Sequence, residues 1–192
     1  MMELIVNVLT DYNALVEERI STKAIERCNE RLTNLGISIR QRDHFTCVGE
    51  KKFSPEEMVD QSKQDGLMPE NGLVMFFSTK QYLSPMKYRP NPDSDLRRYF
   101  WTGLYYENCV IILDAVNNAQ RFDKGGHRLI DTVILHEIGH HLGLGHSDGA
   151  SVMQHLTDES EGFWSEQELN GVKNWHRARM SQLVALMHNT ER

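Results

Sequence analysis

Residues 136–147 read HEIGHHLGLGHS and hold four of the chain's nine histidines. On a helix, residues four apart share a face. His136 and His140 are such a pair, so both imidazoles can reach one metal ion. Glu137 stands one step round, near the ion without being needed as a ligand. Gly143 has no Cβ and admits the left-handed dihedrals of a sharp turn, which can return His146 to the same ion. Three neutral imidazoles leave the fourth tetrahedral position of Zn²⁺ open to water. Zinc lowers the pKa of that water towards neutrality, and the Glu137 carboxylate can take its proton. Together these groups suffice for attack on a peptide carbonyl. HExxH alone arises by chance; a glycine and a third histidine at fixed offsets make the pattern specific. His141 points about 100° away from His140 and reads as a surface or supporting residue, not a ligand.

A helix over 128–145 must carry these residues, losing its helical character at Gly143. Before it, ELIVNVLT (3–10) is short and rich in β-branched residues, a strand. Residues 13–36 place Leu15, Ile20, Ala24, Ile25, Cys28, Leu32 and Leu35 near helical spacing, and Gly36 stops that helix. Residues 37–45 alternate apolar and polar, as a half-exposed strand does. Ser54, Pro55 and Glu57 open a capped helix over 54–66. GLVMFFST (72–79) is a further strand, and the proline-rich 83–95 a surface loop. YFWTGLYY (99–106) and CVIILDA (109–115), joined by Glu107 and Asn108, predict an antiparallel hairpin. Residues 117–127 read as a loop. A last helix starts near Ser165, where Ser165 and Glu168 fit a capping box. This order predicts an α+β, α/β layered domain with at least one antiparallel strand in its sheet.

The pattern His136, Glu137, His140, Gly143, His146 resembles the metzincin clan of zinc peptidases, whose HExxHxxGxxH is followed by a methionine turn. SVM (151–153) supplies Met153 as the turn methionine, which in the clan packs beneath the metal without ligating it. Ser147 after the third histidine, and WSEQELNGVKNWH (164–176), look most like the matrixin branch. The resemblance implies a mixed, mostly parallel twisted sheet with one antiparallel edge strand, an active-site helix and a C-terminal helix. It implies one catalytic domain over 1–192, with an upper part to about 146 and a lower part over 147–192. The implied activity is zinc-dependent endopeptidase, with one catalytic zinc and with 99–106 binding peptide as an added strand. The loop 154–164 would wall the pocket for the residue after the cut.

The sequence also departs from its relatives. The propeptide cysteine motif of matrixins is absent. Asp114, Asp123 and His127 do not form the structural zinc and calcium loop of animal matrixins, so calcium is not supported. His155 stands where astacins and serralysins carry a tyrosine ligand, and is an extra ligand or transition-state group under that comparison. The archaemetzincin branch, compact and without propeptide, is the rival; its cysteine-rich second zinc site has no counterpart after Cys109. The alternatives in function are an aminopeptidase of archaemetzincin type or an inactive zinc-binding module.

Composition bounds the partners. A chain of 192 residues with 40% hydrophobic and 25% charged residues suits one soluble domain. A net charge of −6 argues against nucleic acid as a partner. No apolar run reaches the roughly 18 residues that span a bilayer. Glu3 stands where a signal peptide carries positive charge. The expectation is a cytoplasmic monomer acting on peptide or protein, with a removed leader or another export route left open. Cys28, Cys47 and Cys109 are too few and too dispersed for a disulfide framework and read as reduced, buried thiols.

Overall fold

β-branched and aromatic residues concentrate in five short runs, and the computed structural model joins them into one sheet. It describes residues 2–10, 17–46, 55–69, 72–79, 82–83, 100–148, 151–154, 157 and 160–175. The elements are β1 (Met2–Thr10), α1 (Glu17–Thr33), β2 (Ile37–Thr46), α2 (Pro55–Gln64), β3 (Gly72–Phe77), β4 (Tyr82–Leu83), β5 (Phe100–Trp101), β6 (Gly103–Tyr106), β7 (Cys109–Ile112), α3 (Ala115–Asn118) and α4 (Leu129–His141). Residues 166–175 form a further helix, α5. The five-stranded sheet runs β2-β1-β3-β7-β6. β2, β1, β3 and β7 are mutually parallel, and β6 is antiparallel to β7. This is the mixed, mostly parallel sheet with one antiparallel edge strand that the resemblance implies.

Strand periodicity of two divides each central strand between two cores. Leu73, Met75 and Phe77 of β3, with Val110 and Ile112 of β7, meet Ala24, Cys28 and Leu32 of α1 and Ile130, Val133 and Ile134 of α4. Val74, Phe76, Cys109 and Ile111 turn to the opposite face, where Val59 of α2 covers them. With both faces buried, β3 and β7 read as apolar runs instead of alternating ones. β2, at the other margin, keeps alternation in its first residues. Arg27 of α1 reaches the first turn of α4 with a bidentate pair to Asp131, at 2.7 Å through both Nε and Nη2. α4 is thus fixed to the sheet by apolar packing and to α1 by a charged fork. Cys28 and Cys109 are free, buried thiols; Cys47 lies outside the described residues.

The hairpin closes through Glu107 (φ 47°) and Asn108 (φ 65°). Two consecutive positive φ angles are the type I′ turn that matches the twist of flanking strands. Three expectations need correction. The run 99–106 is not one strand: the chain bends at Thr102, and Phe100–Trp101 pair antiparallel with β4 instead of joining the main sheet. β4 itself ends on Leu83, the first residue of the expected loop. The run 109–115 also stops early: Asp114 takes left-handed dihedrals (φ 49°, ψ 41°), and α3 starts at Ala115, the last residue of the predicted strand, and runs on into the segment expected as a loop. The expected cap Ser54 and the residues 13–16 of the first predicted helix lie outside the described residues.

Candidate active site

α4 is buried over nearly its whole length, so its side chains are placed by packing on every side. It ends at a Schellman turn. Gly143 takes φ +82°, its N–H donates to His140 O at 3.0 Å, and Leu144 N–H donates to Gly139 O at 2.9 Å. This turn does two things. It brings the Leu144 carbonyl to His140, whose Nδ1–H donates to it at 2.9 Å. It also reverses the chain so that His146 returns to the helix. His136 is fixed from the other side, its Nδ1–H donating to Val152 O at 2.7 Å.

Those two bonds set the tautomers. A carbonyl can only accept, so Nδ1 of His136 and of His140 carries the proton and each Nε2 carries a lone pair. His140 Nε2 lies 3.1 Å from His136 Nε2 and 3.2 Å from His146 Nε2. The ligand atoms of the three histidines all lie within 4.8 Å of one another. Lone pairs facing at that distance repel unless a cation shares them. Zn–N bonds of about 2.0–2.1 Å at tetrahedral angles put nitrogens about 3.3 Å apart, close to the spacing found. The donor set therefore fits a zinc ion.

Glu137 is buried against β6. A Cβ built on Gly103 would lie 2.6 Å from Glu137 Oε1 and 2.6 Å from Val133 Cγ1. Only a glycine at 103 leaves room for the carboxylate there. Burial pushes the Glu137 carboxyl up to about 8, opposed by a hydrogen bond from the Tyr105 backbone N–H. A cation among the adjacent imidazoles favours the ionised form. His141 is buried, not on the surface. Its Nδ1 lies 3.3 Å from Tyr105 Oη, and its ring meets Tyr105 and Trp175. The side chain faces away from the triad and couples α4 to β6 and α5.

Met153 is fully buried beneath α4, against Gly139 and Trp164. A Cβ at Gly139 would overlap its sulfur and stand 3.1 Å from its Cε. Behind it runs a hydrogen-bonded chain that the sequence reading did not assemble. Ser151 Oγ accepts from Met153 N–H at 3.0 Å and donates to Glu168 Oε1 at 2.7 Å. Ser147 Oγ, beside His146, lies 2.8 Å from Ser151 Oγ. Glu168 Oε2 accepts from Ser165 N–H at 2.6 Å, so the capping box is formed as expected while its acid also holds the methionine turn. A glycine inside a buried helix costs about 1 kcal/mol against alanine; that was the available signal for Gly139. His155 lies outside the described residues.

The matrixin model of the M10 peptidases matches residues 48–176, well over half of the chain. The chain belongs to the matrixin family. No curated protein matches this matrixin. Among solved structures it is similar to the crystal structure of archaemetzincin from Methanopyrus kandleri, with a TM-score of 0.64 at 14% identity, covering 91% of this chain and 96% of that one. It is also similar to a structure of a chaperone–substrate complex, with a TM-score of 0.51 at 12% identity, covering 87% of this chain and 29% of that one. At such identities the likeness shows the fold alone, and that fold agrees with both the matrixin and the archaemetzincin resemblance. Family and fold together support a zinc metallopeptidase with peptide or protein substrates. Among the described residues, no helix is long and apolar enough to cross a membrane.

Proposed function

We propose that this matrixin is a zinc-dependent endopeptidase, with one zinc ion held by His136, His140 and His146. The observation that carries the reading is the convergence of three imidazole Nε2 atoms beside a buried carboxylate at the margin strand of the described sheet. Bound zinc supplies Lewis acidity to water and to a peptide carbonyl. Glu137 is the general base: its carboxylate takes the proton from the attacking water and passes it to the leaving amide nitrogen. Val152 and Leu144 carbonyls orient His136 and His140 by holding their Nδ1 protons. Met153 supports the site from below and is not a ligand.

Among the described residues β6 is the margin of the sheet, with its partner β7 on one side only. A margin strand offers backbone N–H and C=O groups to an extended peptide. We assign β6 as the strand on which substrate docks in antiparallel sense, in place of the longer 99–106 run. Gly103 brings the docked backbone close to Glu137. The reading is tested with zinc-loaded wild type and Glu137→Gln on a peptide library. The variant should keep its zinc and lose hydrolysis by about 10²–10⁴-fold. Equal turnover by the two proteins would place the base elsewhere.

A further inference from the structure

We infer that Asp123 is a positioning residue for the zinc ligand His136: its carboxylate closes a ring of contacts that leaves α4 at Thr132 and returns to it at His136. The inference rests on the zinc reading of His136 proposed above.

The Asp123 side chain is wholly buried in the loop that precedes α4. Its Oδ2 accepts the Thr132 hydroxyl at 2.6 Å, and its Oδ1 accepts the His127 backbone N–H at 2.8 Å. The backbone of the same residue closes the loop. Asp123 N–H donates to His127 O at 2.9 Å, and Gly126 N–H donates to Asp123 O at 3.1 Å. A short loop with its own internal bonds is thereby clamped as a unit to α4. Thr132 stands four residues before His136, so the clamp and the ligand share one face of the helix.

The clamped loop holds the segment 160–163. Gly125 N–H donates to Ser160 O at 3.1 Å, and a Cβ at Gly125 would stand 2.6 Å from the Glu161 carbonyl carbon. The His127 ring fills the space that a Cβ at Gly162 would need, and it meets the Phe163 ring edge-on with centroids 5.0 Å apart. Phe163 O then accepts Val152 N–H at 2.8 Å, and Val152 O accepts the Nδ1 proton of His136 at 2.7 Å. The carbonyl that fixes the tautomer and direction of His136 is thus held from behind by 160–163, and that segment by the loop. A carboxylate suits the joint, because both of its oxygens must accept and neither need donate; an amide in its place would turn a donor towards one of the two partners. His140 provides the contrast. Its Nδ1 proton goes to Leu144 O, within the turn that ends α4 and outside this ring of contacts.

The test compares the two imidazoles by NMR in zinc-loaded protein isotope-labelled at histidine, for wild type, Asp123→Ala and Thr132→Val. The readout is the solvent-exchange rate of the His136 Nδ1 proton relative to that of His140. Each variant should raise this ratio by about tenfold or more, the effect of losing a hydrogen bond to a charged acceptor. Thr132→Val is the milder change and decides the question if Asp123→Ala does not fold. Zinc affinity by chelator competition should fall in parallel, by about tenfold in Asp123→Ala, the lower end of what loss of a ligand's own partner costs. A general loosening of the fold would speed both protons alike. A ratio unmoved in every variant that folds, or zinc affinity equal to wild type in all of them, overturns the role of Asp123 and leaves the zinc reading standing. Wild type that takes up no zinc overturns both.

Discussion

Replacing Gly139 by alanine gives a prediction whose sign depends on the methionine turn. In the interior of a helix, alanine is better than glycine by about 1 kcal/mol. With nothing beneath α4, Gly139→Ala would stabilise the protein by that amount. The new methyl would instead overlap the Met153 sulfur and stand 3.1 Å from its Cε, in a region where Met153 and Val152 are buried. Forcing an extra methyl group into a packed core costs about 1–3 kcal/mol. Met153 cannot retreat freely, because its N–H is held by Ser151, which is itself held by Glu168. The net expectation is destabilisation of up to about 2 kcal/mol, a fall in Tm of up to about 8 °C for a chain of this size. The assay is denaturant and thermal unfolding of metal-free protein, so that zinc binding does not enter. Adding Met153→Ala should rescue the variant, with a coupling energy of about 1 kcal/mol or more. A metal-free Gly139→Ala protein more stable than wild type would refute the packing of Met153 under the helix.

Two further outcomes follow from buried acids. Glu168→Gln replaces an acceptor of two hydrogen bonds and should destabilise the protein by about 1–3 kcal/mol while weakening zinc affinity through the Ser151–Ser147 chain; affinity equal to wild type in a chelator competition would disconnect α5 from the site. In metal-free protein the Glu137 carboxyl is raised from 4.5 to about 8, so the folded state holds a proton that the unfolded state releases. Its contribution is fully present below about 4.5 and is lost as pH rises through about 8. Wild type should therefore lose stability relative to Glu137→Gln between pH 5 and pH 9 in urea unfolding, and a constant difference across that range would contradict the burial.

The triad was legible because its geometry is local. His136 and His140 are one helical turn apart, and Gly143 turns the chain within three residues of His140. The hairpin was legible for the same reason, as Glu107 and Asn108 allow only a tight turn between two apolar runs. What stayed hidden depends on distant pairs. Nothing near Glu168 indicates that it meets Ser151, or near Thr102 that it meets Thr157. Thr102 also breaks the strand 99–106, because its carbonyl is committed to Leu113 while Phe100 and Trp101 pair with β4; aromatic content alone suits either strand. His141 was expected to be a surface or supporting residue from its direction away from His140; β6 and α5 cover that side of the helix, so of the two it is a supporting one.

The central claim is a zinc ion shared by three imidazoles. The most direct measurement is metal content by mass spectrometry on protein purified without chelator, for wild type and for His140→Ala. The account predicts one zinc per chain in wild type and near none in the variant, with folding retained. Wild type without metal, or His140→Ala with its zinc undiminished, would contradict it.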